Sequence, residues 1–152
     1  MPKYAAEGNR ATSTTTATVL EWHASSGTKA RRLKFYFLSI GFPGTPGDVE
    51  VEIIAQRTTA AGTVGGAVVP KPLDFADDAA LSVAGEAHSV EPTYTTAEAM
   101  LSLPVHQRNT VLWYAPPGGE IVVPATNLAG LGVQTDASSG TPTCTAVLHA
   151  EE

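Results

Sequence analysis

A chain of 152 residues, 43% of them hydrophobic and 16% charged, is long enough for one cored domain, because a domain of this size buries roughly 70% of its unfolded surface. Fifteen acidic against nine basic residues leave a formal net charge of −6. Only Arg31 and Arg32 are adjacent, so the clustered Lys and Arg on which nucleic-acid affinity depends are missing. The lone cysteine, Cys144, excludes an internal disulfide and a cysteine zinc site. No apolar run reaches the ~18 residues of a membrane span, and Met1-Pro2-Lys3-Tyr4 lacks the apolar stretch of a signal peptide, which predicts a protein made and kept in a cytoplasm.

Residues 1–9 carry no strand pattern and read as a flexible N-terminal arm ahead of a single β-sandwich domain over 10–152. The threonine-rich run 12–20 continues into Val19-Leu20-Glu21-Trp22 and predicts a β-branched strand, followed by a turn at Ser25-Ser26-Gly27. In the next strand, 32–40, Leu33, Phe35 and Phe37 share one face while Tyr36, Leu38 and Ile40 occupy the other, so both faces need cover. The Gly- and Pro-dense segment 41–47 leads into Val49-Glu50-Val51-Glu52-Ile53, an alternation with period two that marks a half-buried strand over 49–58. These two strands are expected to form a hairpin.

The stretch 59–97 is broken by Ala60-Ala61-Gly62 and Gly65-Gly66, with room for a short strand at Val68-Val69-Pro70 and one short helix over 77–83, capped by Asp77 or Asp78. A connection this long crosses between sheets or covers a binding surface. Strands return at 100–105, 110–114, 120–123, 131–135 and 143–149. Pro104 has no N–H for a ladder, which predicts an edge or a bulge, and Cys144 lies in a strand-like run as a small buried hydrophobe. About eight short strands with regular turns give an all-β fold, an antiparallel β-sandwich with a jelly roll as first choice. Phe35, Phe37, Val51, Ile53, Leu101 and Leu103 are the expected shared core.

Chemistry is sparse. His23, His88, His106 and His149 stand far apart, none with a second histidine or a carboxylate at ligand spacing. Asp74-Phe75-Ala76-Asp77-Asp78 lacks the order of a calcium loop, and Gly62-Thr63-Val64-Gly65-Gly66 has neither the lysine nor the helix of a phosphate loop. No Gly-x-Ser-x-Gly elbow offers a nucleophile. The expectation is therefore no enzyme, no cofactor and no metal. Trp22, Trp113 and Tyr114 support an alternative, a carbohydrate- or receptor-binding sandwich, which loses its main support if Trp113 and Tyr114 are both buried. An enzyme of the cupin type would need two or three histidines converging inside the barrel.

From Ala55 onward, Gln56-Arg57-Thr58-Thr59-Ala60-Ala61-Gly62-Thr63, Val69-Pro70-Lys71-Pro72-Leu73-Asp74, Ala84-Gly85-Glu86-Ala87-His88-Ser89-Val90-Glu91-Pro92-Thr93-Tyr94 and the run 109–125 resemble a family of small virion proteins of tailed bacteriophages, over about two thirds of the chain. The resemblance implies a capsid decoration, or cement, protein. Such a β-sandwich sits on the outside of a DNA-filled head, contacts the major capsid protein lattice and is often a trimer around a symmetry axis. Candidate interface residues come from the arm and the two-faced strand: Tyr4, Arg10, Arg31, Arg32, Tyr36, Leu38 and Ile40.

Overall fold

Period-two alternation decides which side of each strand is buried, and it organises the computed structural model, which describes residues 1–25, 27, 29–137 and 140–152, with the side chains of 96–98 and 137 outside the description. The expected turn around Ser26 therefore lies partly outside the described residues. Twelve strands are found among these residues: β1 (Lys3–Ala11), β2 (Ala17–His23), β3 (Leu33–Gly41), β4 (Glu50–Ala60), β5 (Gly66–Val68), β6 (Lys71–Pro72), β7 (Val83–Glu86), β8 (Thr93–His106), β9 (Val111–Tyr114), β10 (Ile121–Val123), β11 (Gly130–Ala137) and β12 (Thr143–Glu151). They form two antiparallel sheets. The first runs β10-β3-β12-β1-β6, with β9 also on β3; the second runs β5-β7-β2-β11-β4-β8. Between them lies one apolar core, where Trp22 of the second sheet meets Phe35 of the first edge-to-face at 5.5 Å. This is an all-β sandwich.

The two-faced pattern of β3 has a specific cause. Against β12, Leu38 pairs with Leu148 and Phe37 with His149, but Ala150 then pairs with Phe35, so Tyr36 is an extra residue. A bulge of this kind shifts the alternation by one. Leu33, Phe35, Leu38 and Ile40 consequently all enter the core, while Tyr36 and Phe37 sit half-buried on the outer face. The expected core is corrected at one position: Phe35, Val51 and Ile53 are buried, Leu101 and Leu103 pack against them, and Phe37 points away.

Three further expectations are corrected. Residues 3–9 are no arm, because β1 pairs along its whole length with β12, from Lys3↔Glu151 to Ala11↔Thr143. Tyr4, Ala6 and Gly8 alternate inward, but alanine and glycine are too small and neutral to announce a strand. Gly8 is required there, since a Cβ would stand 2.9 Å from the carbonyl oxygen of Val19 on β2. The strands β3 and β4 are no hairpin either; the segment 42–49 carries the chain from one sheet to the other.

Nor is there a helix at 77–83, or anywhere among the described residues. Asp74 caps a turn instead, accepting from the Ala76 amide at 2.9 Å through its side chain and from the Asp77 amide at 3.1 Å through its carbonyl. Short side-chain-to-backbone bonds of this type compete with helix formation. The excursion 59–97 does cross between sheets, giving β6 to the first and β5 and β7 to the second. Pro104 lies on β8, an edge strand, as its missing N–H demands.

The bulge sets opposite outcomes for two phenylalanines. Phe35→Ala should cost about 3–5 kcal/mol and Phe37→Ala roughly 1 kcal/mol, read as shifts of the urea midpoint; equal losses would place both rings in the core.

Candidate interaction surface

The outer face of the first sheet is built by the same bulge. Tyr36 and Phe37, consecutive in sequence, both reach the His149 ring of β12, with centroids 5.9 and 4.4 Å away. On the other flank, β9 places Tyr114 opposite Phe37 and Leu112 opposite Ser39. The Tyr114 ring lies 4.9 Å from Phe37. Alternation along β9 leaves Leu112 55% and Tyr114 64% exposed, while Val111 and Trp113 pack against the core. Lys3 holds its ammonium 5.4 Å from the Tyr36 ring and 3.8 Å from Glu151, edging the aromatic stripe with charge. Towards β1 the face continues into a concavity of about 510 Å³ lined by Ala5, Glu7, Val68, Val69, Lys71 and Val147 among others. Burial lowers the His149 pKa below the ordinary imidazole value, favouring the uncharged ring in this apolar stripe.

Of the candidate interface residues, Tyr36 stands on this face and both Arg31 and Arg32 are exposed. Tyr4, Leu38 and Ile40 do not face outward: they are 3%, 1% and 0% exposed. Pairing of β1 turns Tyr4 inward, where its hydroxyl donates to the Asp78 carbonyl at 2.9 Å; the bulge does the same to Leu38 and Ile40. Arg10 is engaged within the chain, donating to the Glu91 carboxylate at 2.7 Å and the Thr18 carbonyl at 3.0 Å. Arg31 lines a concavity with Tyr4, Asp78 and Glu152, among acidic neighbours of its own chain.

A second feature lies on the outer face of the second sheet. Glu21 and His23, two residues apart on β2, point the same way, and His88 comes down on them from the segment after β7. His88 Nε2 lies 3.2 Å and His23 Nδ1 4.0 Å from Glu21 Oε2. All three residues are buried. The space exists because β11 opposes Glu21 with Gly132 and His23 with Gly130. Overhead, the bridge Thr63↔Val90 closes a strap. Glu91 accepts from the Thr18 amide at 2.9 Å and from its hydroxyl, and the Tyr94 hydroxyl meets the Thr18 hydroxyl at 2.6 Å. Burial lowers the His23 pKa against the opposing pull of Glu21.

Sequence spacing shows only half of this cluster: His23 stands two residues from Glu21 on β2, but His88 reaches Glu21 from the segment after β7, 67 positions away. His106 pairs separately with Asp48 at 3.0 Å. Among the described residues no group of three or more His, Cys, Asp or Glu side chains is arranged to hold a metal ion. Cys144 is fully buried, its thiol pKa pushed up to about 12 by burial.

Comparison with protein-family models, with curated proteins and with solved structures finds no match to this chain.

The histidines set the sign of an acid dependence. With the folded pKa of His23 lowered, the unfolded chain binds the proton first, so stability is full above about pH 6.5 and falls as the pH drops from there towards the folded value. The urea midpoint should fall across that window, and His23→Gln should flatten part of the slope; an unaltered slope would remove His23 as its source.

Proposed function

We propose that the chain is a non-enzymatic contact protein which decorates and stabilises the outside of a bacteriophage capsid, seated on the major capsid lattice through the outer face of its first sheet. The observation that supports it most is the exposed stripe of Leu112 and Tyr114, backed by Phe37, Tyr36 and His149 on a rigid ladder. Aromatic side chains on a stiff backbone bury large area at small entropic cost, and such residues dominate binding energy at interfaces. The resemblance of the segments after Ala55 to small virion proteins supplies the class of partner. A jelly-roll path for the sandwich and assembly as a trimer around a symmetry axis belong to the same proposal. Leu112 and Tyr114 now stand where Leu38 and Ile40 were expected as the apolar surface in need of cover.

Exposure of Tyr114 keeps one alternative in play, stacking on a sugar ring or a receptor. Trp113 is turned against the core and Trp22 is buried, so of these three aromatic residues Tyr114 alone is exposed.

The test is cosedimentation of purified chain with capsids prepared without it. Wild type should bind, and Leu112→Asp with Tyr114→Asp should weaken attachment by at least about tenfold, some 1.4 kcal/mol, with an unchanged urea midpoint. Absence of the chain from purified virions by mass spectrometry, or full binding by the double variant, would overturn the proposal. Retention of wild type on a glycan array, with no capsid binding, would favour the alternative.

A further inference from the structure

We propose that a concavity at one end of the sandwich, lined by Arg32 and Arg57, is a receptor for a carboxylate side chain on the partner protein. The concavity measures about 620 Å³, and its remaining lining is Val122, Pro124 and Ala125. Two arginines thus line one space with no acidic residue in its wall.

The two arginines arrive by different routes. Arg57 sits on β4 opposite Leu131 of β11 and reaches across to the first sheet, where its Nη2 donates to the Val122 carbonyl at 3.3 Å. That bond roots one side of the fork. Arg32 precedes β3 and is exposed at the mouth. Its sequence neighbour Arg31 turns the other way, to the concavity that contains Asp78 and Glu152. The adjacent pair therefore divides: Arg31 among the chain's own acids, Arg32 beside a second cation.

Among the described residues neither Arg32 nor Arg57 forms an ion pair. In a chain with a net charge of −6, fifteen carboxylates are available to neutralise nine cations, so two arginines left together are an unmet electrostatic demand. A carboxylate satisfies it best. The guanidinium fork matches two carboxylate oxygens, and Val122, Pro124 and Ala125 offer an apolar wall to the methylenes of an Asp or Glu side chain. A polyanion fits poorly, because overall negative charge repels it and phosphate recognition relies on many clustered cations.

The identity of the partner rests on the proposed role as a contact protein; the chemistry of the concavity does not. The two are tested apart. Full-length chain labelled with nitrogen-15 is titrated with acetyl-glutamate amide, with inorganic phosphate and with acetyl-lysine amide, following the backbone amides of Val122 and Ala125 and the Arg57 Nε–H. Acetyl-glutamate amide should give saturable shifts with Kd on the order of 1–10 mM, weakened at least about tenfold, or about 1.4 kcal/mol, by Arg32→Gln and unchanged by Arg31→Gln. Arg32 is exposed, so its replacement leaves the fold, and hence the rest of the spectrum, in place even if Arg57→Gln does not. Three results would overturn the proposal: no saturable shift, equal binding by Arg32→Gln, or saturation by phosphate without response to the carboxylate. Carboxylate binding by a chain that ignores capsids would keep the concavity and remove the decoration role. Capsid binding unaffected by Arg32→Gln, with no carboxylate binding, would do the reverse.

Discussion

The extra residue at Tyr36 in β3 is the constraint from which the rest of the molecule follows. In an extended strand the side-chain period is two, so Leu33 and Phe35 on one face would oblige Leu38 and Ile40 to take the other. Skipping one residue against β12 brings all four to the same side. Each buried aliphatic or aromatic side chain contributes about 1.5–3 kcal/mol relative to an exposed one, so the choice of phase moves several kcal/mol between core and solvent. The bulge also creates the outer stripe, since Tyr36 and Phe37 emerge together on His149. Core and candidate contact surface are two products of one irregularity.

The second sheet solves a different problem, a fully buried carboxylate. Glu21 shows no exposure, and an ionised carboxylate taken from water costs several kcal/mol unless it is paired. His88 supplies the pairing from a segment tied down by the Thr63↔Val90 bridge and by the Glu91 carboxylate on Thr18. Gly130 and Gly132 are part of the device. With side chains at those positions, the Tyr94 ring and His23 would meet them directly. The excursion between β4 and β8 is thus a cover whose underside is polar, which ties its position to hydrogen bonds and charge more than to apolar area.

Much of this could be read from residues alone, and the failures have physical causes. The alternation at Val51-Glu52-Ile53, the edge position of Pro104 and the burial of Cys144 follow from local rules that tertiary structure respects. The phase of β3 was hidden because a bulge leaves no composition signal when both candidate faces are apolar. β1 was hidden because its inward residues are mostly small, so its pairing is decided by β12, over a hundred residues away. The Glu21 cluster was hidden for a similar reason: His88 is separated from Glu21 by 67 positions. One signal was present, the glycine alternation Gly130-Leu131-Gly132, which marks a strand face pressed by something above it. Of the candidate interface residues, Tyr36, Arg31 and Arg32 remain outside, Tyr36 because alternation from Leu33 and Phe35 puts it on the outer face and the two arginines because they precede the first paired residue of β3.

The pairing of β12 between β1 and β3 carries a consequence for how the chain is made. Those two strands do not pair with each other: β12 is the strand that bridges them, with β6 on the far side of β1 and β9 and β10 on the far side of β3. The first sheet therefore has no centre until residues 143–151 have been synthesised, and its earlier strands must wait with unpaired edges. Ladders that join distant parts of a chain form slowly and leave intermediates prone to association. Low charge on β3, whose one charged residue is Lys34, adds to that exposure. A ribosome stalled before β12 would hold a half-sandwich that can neither close nor hide its edges, so the step that completes the first sheet is the emergence of β12 from the ribosome.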